Sequence, residues 1–335
     1  VFAGRTLASL GALAIAWTAA ACGGPAPAHE RAAGAPVVIG GPGTAPGQFS
    51  SPRGIDIASD GTIAVVDKSG RVQLLDPDGA PIRHWVLPKI DNGTPTALTF
   101  DESDPEQTTL IVPDTHNGRI FRYALDGTLL ATIEGENPES PSFMIFPTDV
   151  AVDDDGNLYA VEYGGPRDRI VKFDRDGRFL FDWSDSGAAP GQIKRAMALT
   201  WISPDRLLVA DSINHRFQLF TAEGELVRLW GEVGEGPGQF RYPYDFAVHH
   251  NGRIYVMEYG GNRLHVTDFE GRPLGIYGGP GRIPGTFHTP WGIAVAPDGR
   301  LFIADTGNNR LQVLDPKTPI GVGLGSPDPE PESIP

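Results

Sequence analysis

Of 335 residues only one is cysteine, Cys22, and only 27 are basic against 42 acidic. The first scarcity removes disulfides and thiol chemistry from everything after residue 22, so the fold must be held by packing and ring closure. The second leaves a net charge of −15. That argues against nucleic acid and against adhesion to anionic lipid head groups, both of which need clustered Lys and Arg. No long amphipathic helix is apparent, and Gly-x-Ser-x-Gly, glycine-rich phosphate loops and Cys-x-x-Cys are all missing. Nothing in the chain announces a nucleophile or a cofactor.

What is plentiful is turn chemistry, with 43 Gly and 31 Pro, and it recurs. Asp305 aligns with Glu258, Asp211, Glu162, Asp114 and Asp67 at a period of about 47 residues, which is in the range of propeller blades. A basic residue follows each: Arg310, Arg263, Arg216, Arg169, Arg119 and Arg71. Four copies open alike, with Pro290-Trp-Gly-Ile-Ala-Val, Pro243-Tyr-Asp-Phe-Ala-Val, Pro147-Thr-Asp-Val-Ala-Val and Pro52-Arg-Gly-Ile-Asp-Ile, while copies two and four are degenerate there. The last copy reads as short strands over Gly292–Val295, Leu301–Ala304 and Arg310–Leu314 with turns between them.

The pattern Pro-x-Gly-Ile-Ala-Val, then Asp-Gly-x-hydrophobic-x-Val-Ala-Asp, then Asn-x-Arg-hydrophobic-x-hydrophobic resembles the NHL repeat, from Val37 to Asp315. The resemblance implies an all-β, six-bladed β-propeller of four-stranded antiparallel blades. Fourth strands are expected at Ile82–Val86, Leu129–Ile133, Phe179–Trp183, Leu226–Trp230 and Leu274–Tyr277, each after a turn such as Asp126-Gly127. The sixth copy has no fourth strand after Leu314, and Val37–Ile39 is an outer strand without a blade. Pairing the two closes the ring and removes an exposed edge.

The ends read differently from the repeats. Arg5, the apolar run from Leu7 to Trp17 and the small residues after it suit a secretory signal peptide; a buried N-terminal helix is the alternative. Ala19-Ala20-Ala21-Cys22 resembles a bacterial lipobox, departing from it at Ala19, and implies lipidation of Cys22. The expected domains are residues 1–21 as signal, 22–35 as a flexible tether, 36–316 as the propeller and 317–335 as a Pro-rich acidic tail. The expected location is the cell envelope, in the outer membrane and periplasm or on the outer face of the cell membrane, with the membrane touched only through the lipid.

In a four-stranded up-and-down blade, the start of the innermost strand and the loop between strands two and three share one face. Arg53, Asp149, Arg195, Tyr244, Asp245 and Trp291 are therefore expected to ring the channel mouth, with Glu162, Tyr163, Glu258 and Tyr259 further out. The carboxylate and arginine that recur in every blade suit a structural staple, since catalytic groups are not needed six times. Blades three and five break the repeat in a matched way, through Asp149 with Glu162-Tyr163 and Asp245 with Glu258-Tyr259, and blade four between them offers Lys194 and Arg195. Asp149, Arg195 and Asp245 suit either an ion-pair network or a polar ligand site with tyrosine and tryptophan walls.

His116 and His215 share the working face but lie two blades apart, and zinc needs at least three converging ligands. His84 and His265 are placed in outer strands. Peptide-amidating lyases, of similar propeller fold, hold a metal with three histidines at the starts of innermost strands; the matching positions here are read as Asp149, Ala196 and Asp245, so that site is not carried over. No cofactor is expected. The leading reading is a monomeric binding module for a protein, peptide or small polar ligand. The alternative is a hydrolase or lyase using Asp149 and Asp245 with bound Ca²⁺, an ion suited to hard oxygen ligands.

Overall fold

The computed structural model describes residues 36–88, 92–164 and 168–316. Cys22, the apolar run before it, most of the tether and the acidic tail lie outside the described residues. The sheets follow the repeat. Pro52–Ile57, Ile63–Asp67, Arg71–Leu75 and Pro81–Val86 form the first blade, antiparallel and in chain order from the channel outward. Blades two to five run from Thr99 to Glu134, Phe146 to Trp183, Ala198 to Trp230 and Pro243 to Gly278, each with the same order. The sixth joins Ile293–Val295, Leu301–Asp305 and Arg310–Leu314 to Val37–Ile39, with Val37 opposite Val313 and Ile39 opposite Leu311. The fold is a six-bladed β-propeller, and its first strand completes its last blade.

Strands two and three of each blade are largely buried on both faces because neighbouring blades cover both. Side chains alternate along a strand, so Ala64 and Val66 pack toward blade two while Ile63 and Val65 pack toward blade six. The core is thus divided into six apolar wedges, one per seam between neighbouring blades. At the seams Phe49, Phe240 and Phe287, from the joints between blades, are fully buried. A Cβ on Gly40 would stand 2.4 Å from the Phe49 ring, and Gly40 has φ of +73°, so only glycine suits that corner.

Each recurring carboxylate is buried against its arginine. Asp67–Arg71 closes at 3.0 Å, Asp114–Arg119 at 2.9 Å, Glu162–Arg169 at 2.6 Å, Asp211–Arg216 at 2.7 Å, Glu258–Arg263 at 2.9 Å and Asp305–Arg310 at 2.8 Å. In five blades the carboxylate also accepts a backbone N–H from 17 residues upstream, at Ser50, Ile145, Lys194, Arg241 and His288. The arginine spends its other donors on carbonyls of the joint, as Arg216 does on Ala188, Ala189 and Gln192. The pair therefore ties strand, hairpin and incoming joint together, as expected of a staple. His265 belongs to this layer and not to an outer strand: it is fully buried in strand three of blade five, 3.2 Å from Glu258.

Removing Val37–Ile39 is expected to expose the apolar edge at Leu311 and Val313 and to lower stability by several kcal/mol, given about 25 cal/mol per Å² of apolar surface returned to water. A thermal melt of the deletion variant checks this; an unchanged midpoint means the strand does not close the ring.

Candidate functional site

The upstream N–H bond to the staple carboxylate fixes the register of each innermost strand, and with it the membership of the channel mouth. Counting from that bond, Arg53, Thr148, Met197, Tyr244 and Trp291 occupy equivalent places, and Thr96 stands at this level in blade two. Arg195 falls two residues earlier, equivalent to Ser51, Tyr242 and Thr289, and all four share a positive φ between 44° and 53°. Their backbone N–H groups are caught by side chains of the preceding blade: Asn309 for Ser51, Asp168 for Arg195, His215 for Tyr242 and Asn262 for Thr289. Arg195 thus stands on the rim and not in the innermost ring. By strand pairing Ala198, not Ala196, is the counterpart of Asp149 and Asp245.

In blades one, three and five the register shifts just after the opening proline of the innermost strand, at Arg53, Thr148 and Tyr244. Such a bulge re-aims side chains. Tyr244 and the following Asp245 both line the central channel, a cavity of about 410 Å³ that also takes in Asp56, Asp149, Met197 and Trp291.

Below the mouth, three carboxyls pin seams between blades. Asp149 accepts from its own neighbour Val150 at 2.8 Å and from Leu199 of blade four at 3.0 Å; Asp245 accepts from Phe246 and from Ile293 of blade six, both at 2.8 Å. Asp56, which the sequence analysis did not select, does the same one pleat lower, with Ile57 and with Phe100 of blade two. These groups meet solvent only through the channel. Burial raises Asp56 to about 6 and Asp149 to about 7, and burial together with the charge of Asp149 lifts Asp245 well above the usual carboxylate range.

Neither Asp149 nor Asp245 pairs with Arg195, so the expected ion-pair network is not formed. Among the described residues no three His, Cys, Asp or Glu side chains converge as metal ligands. Glu162 and Glu258 are the staple carboxylates of their blades, turned inward and buried, and do not face the mouth.

The remaining candidates do meet. Tyr244 and Tyr259 stack with centroids 4.4 Å apart, and Trp291 stands edge-on to both at 4.9 and 5.7 Å. Arg53 lies over the Trp291 ring at 4.5 Å and gives Nη1 to the Thr94 hydroxyl at 3.0 Å. Burial holds Arg53 below its ordinary value, with the neighbouring tyrosines opposing that shift. On the other side Arg195 lies over Tyr163 at 4.8 Å, and Tyr163 packs on Phe146 at 5.2 Å, which in turn meets His116. Among the described residues the mouth is an aromatic collar carrying Arg53 and Arg195. Phe146, Met197 and Thr148 were not found from sequence, and only their register would have shown them.

Residues 287–314 match the family model for the NHL repeat. The chain is a six-bladed propeller, and one stretch of it is similar to the NHL repeat. Residues 191–275 match a second family model, described as a 6-bladed beta-propeller. Human NHL repeat-containing protein 3 is 30% identical over 163 residues, 46% of this chain and 46% of that protein. Peptidyl-glycine alpha-amidating monooxygenase B of Xenopus laevis is 38% identical over 81 residues, 23% of this chain and 9% of that protein. The chain thus spans less than half the length of these curated relatives. Among solved structures a streptogramin B lyase superposes with a TM-score of 0.60 at 15% identity, over 84% of this chain and 98% of that one, which shows the fold alone.

The channel carboxyls make stability depend on pH. Free carboxyls titrate near pH 4, so between there and about pH 7 the native state holds more protons than the unfolded chain. Their contribution is complete below about pH 4 and is lost as pH rises toward 7, at up to about 1.4 kcal/mol per pH unit per group. Melting curves of the wild type and of Asp149→Ala with Asp245→Ala are expected to show a flatter pH profile across that window in the variant. Equal slopes would assign the dependence to other groups.

Proposed function

We propose that this NHL propeller is an exported, membrane-tethered binding module whose channel-mouth face takes a protein, peptide or small polar ligand without catalysis. The observation that carries this is the collar of Arg53, Arg195, Tyr163, Tyr244, Tyr259 and Trp291 set over an open channel. Concave sites walled by aromatic rings with a few fixed polar groups are where ligands bury most of their surface. NHL propellers commonly serve as binding or protein-interaction modules, which agrees with this reading. A hydrolase or lyase acting through Asp149 and Asp245 has less support. Both oxygens of each carboxylate already accept backbone N–H groups that hold the seams together.

A thermal-shift screen against small polar metabolites and dipeptides, repeated on Tyr244→Ala with Trp291→Ala, tests the binding face. Ligands that raise the midpoint of the wild type and not of the variant support it. Hits that stabilise both proteins equally place binding elsewhere.

Membrane tethering rests on Ala19-Ala20-Ala21-Cys22. Cys22→Ser is expected to move the protein into the soluble exported fraction, because a lipid-anchored domain without its acyl chains keeps no comparable hold on a bilayer. Fractionation followed by blotting reads this out, and a variant still sedimenting with membranes locates the anchor elsewhere.

A further inference from the structure

We propose that the channel mouth is a receptor for a small organic oxyanion, a carboxylate or phosphate ester, gripped between the guanidinium groups of Arg53 and Arg195. The proposal rests on the mouth being the binding face, and adds to it the charge of the ligand.

The contrast with the other arginines carries the argument. Arg71, Arg119, Arg169, Arg216, Arg263 and Arg310 each meet a buried carboxylate. The guanidinium groups of Arg53 and Arg195 meet none among the described residues, although the chain carries 42 acidic residues against 27 basic ones. Both instead sit over aromatic rings, Arg53 at 4.5 Å from the Trp291 centroid and Arg195 at 4.8 Å from that of Tyr163. A ring contact holds a guanidinium in place without using its N–H donors, which a planar fork needs for an oxyanion.

The donors are in fact largely unused. Arg53 engages Nη1 with Thr94, while its Nε is buried without a hydrogen-bond partner. Arg195 is held through its backbone N–H by Asp168, and among the described residues its guanidinium makes only the ring contact. The two share one opening, because Tyr163 and Tyr244 lie within electrostatic reach of both. Asp149 and Asp245 below are committed to backbone N–H groups and supply neither arginine with a counter-ion. An oxyanion at the mouth would meet both forks while its organic body enters the channel.

Calorimetric titration of the whole chain with phenyl phosphate, benzoate and benzylamine tests this. At least one of the two anions is expected to bind saturably and benzylamine not at all, and the tighter anion identifies the oxyanion class. Arg53→Gln and Arg195→Gln should each weaken binding at least about tenfold, the loss expected for a charge-assisted hydrogen bond. Arg195 is exposed and packs only on Tyr163, so Arg195→Gln decides the question even where Arg53→Gln unfolds. No binding of either anion, or undiminished binding to Arg195→Gln, overturns the proposal. Benzylamine bound in a manner lost in Tyr244→Ala also overturns it, and leaves the mouth as the binding face with the opposite charge preference.

Discussion

One buried carboxylate recurs in every blade, and the rest of the structure follows from what these six must find there. A carboxylate removed from water needs a cation and several hydrogen bonds, and breaking such a pair strands the survivor at a cost of about 3–5 kcal/mol. Each takes an arginine of its own hairpin and, in five blades, the N–H 17 residues back. The arginine then holds the joint. One electrostatic requirement thereby sets the strand register, the path of the joint and the seating of the seam phenylalanines. It is met in every copy by a carboxylate and an arginine on the same hairpin, four to seven residues apart, which is why the blades are alike.

Around the channel the six blades behave as three pairs. Blades one, three and five carry the register shift and an aspartate; blades two, four and six supply the N–H that receives it, at Phe100, Leu199 and Ile293. A carboxyl that bridges two strands while facing a narrow internal space is pushed toward its neutral form, so the seams are pinned by hydrogen bonds rather than by opposed charges. The result keeps repulsion along the channel low in a strongly acidic chain and leaves Arg53 in the innermost ring and Arg195 on the rim without a counter-ion from these carboxyls.

The fold was legible because repetition averages over local ambiguity. The outer strands Phe179–Trp183 and Leu226–Trp230, the closing strand Val37–Ile39 and the carboxylate–arginine staple could all be read from aligned copies. The mouth was less legible, for reasons that can be stated residue by residue. Blade four lacks the proline that opens its neighbours, and its register is fixed by the backbone N–H of Lys194, which no side chain advertises; Arg195 was therefore placed two residues too deep. Asp56 plays the part of Asp149 one pleat lower, so it falls in a different column. Glu162 and Glu258 attracted attention through the tyrosines beside them, although they already stood in the staple column. The contacts of Arg53 with Trp291 and Arg195 with Tyr163 join different blades, and sequence spacing does not report them.

The closing strand has a consequence for how the chain is made. Val37–Ile39 leaves the ribosome before any blade exists, yet its partner, Arg310–Leu314, emerges last of all the strands. Blades built from neighbouring hairpins can assemble as they appear, but the last seam waits for a contact between residues almost the full length of the domain apart. Contacts of such separation are slow to form. Until then the first blade presents the apolar flank of Ile55, Ile63 and Val65 uncovered. That flank therefore stays uncovered until the sixth blade, the last to emerge, docks against it.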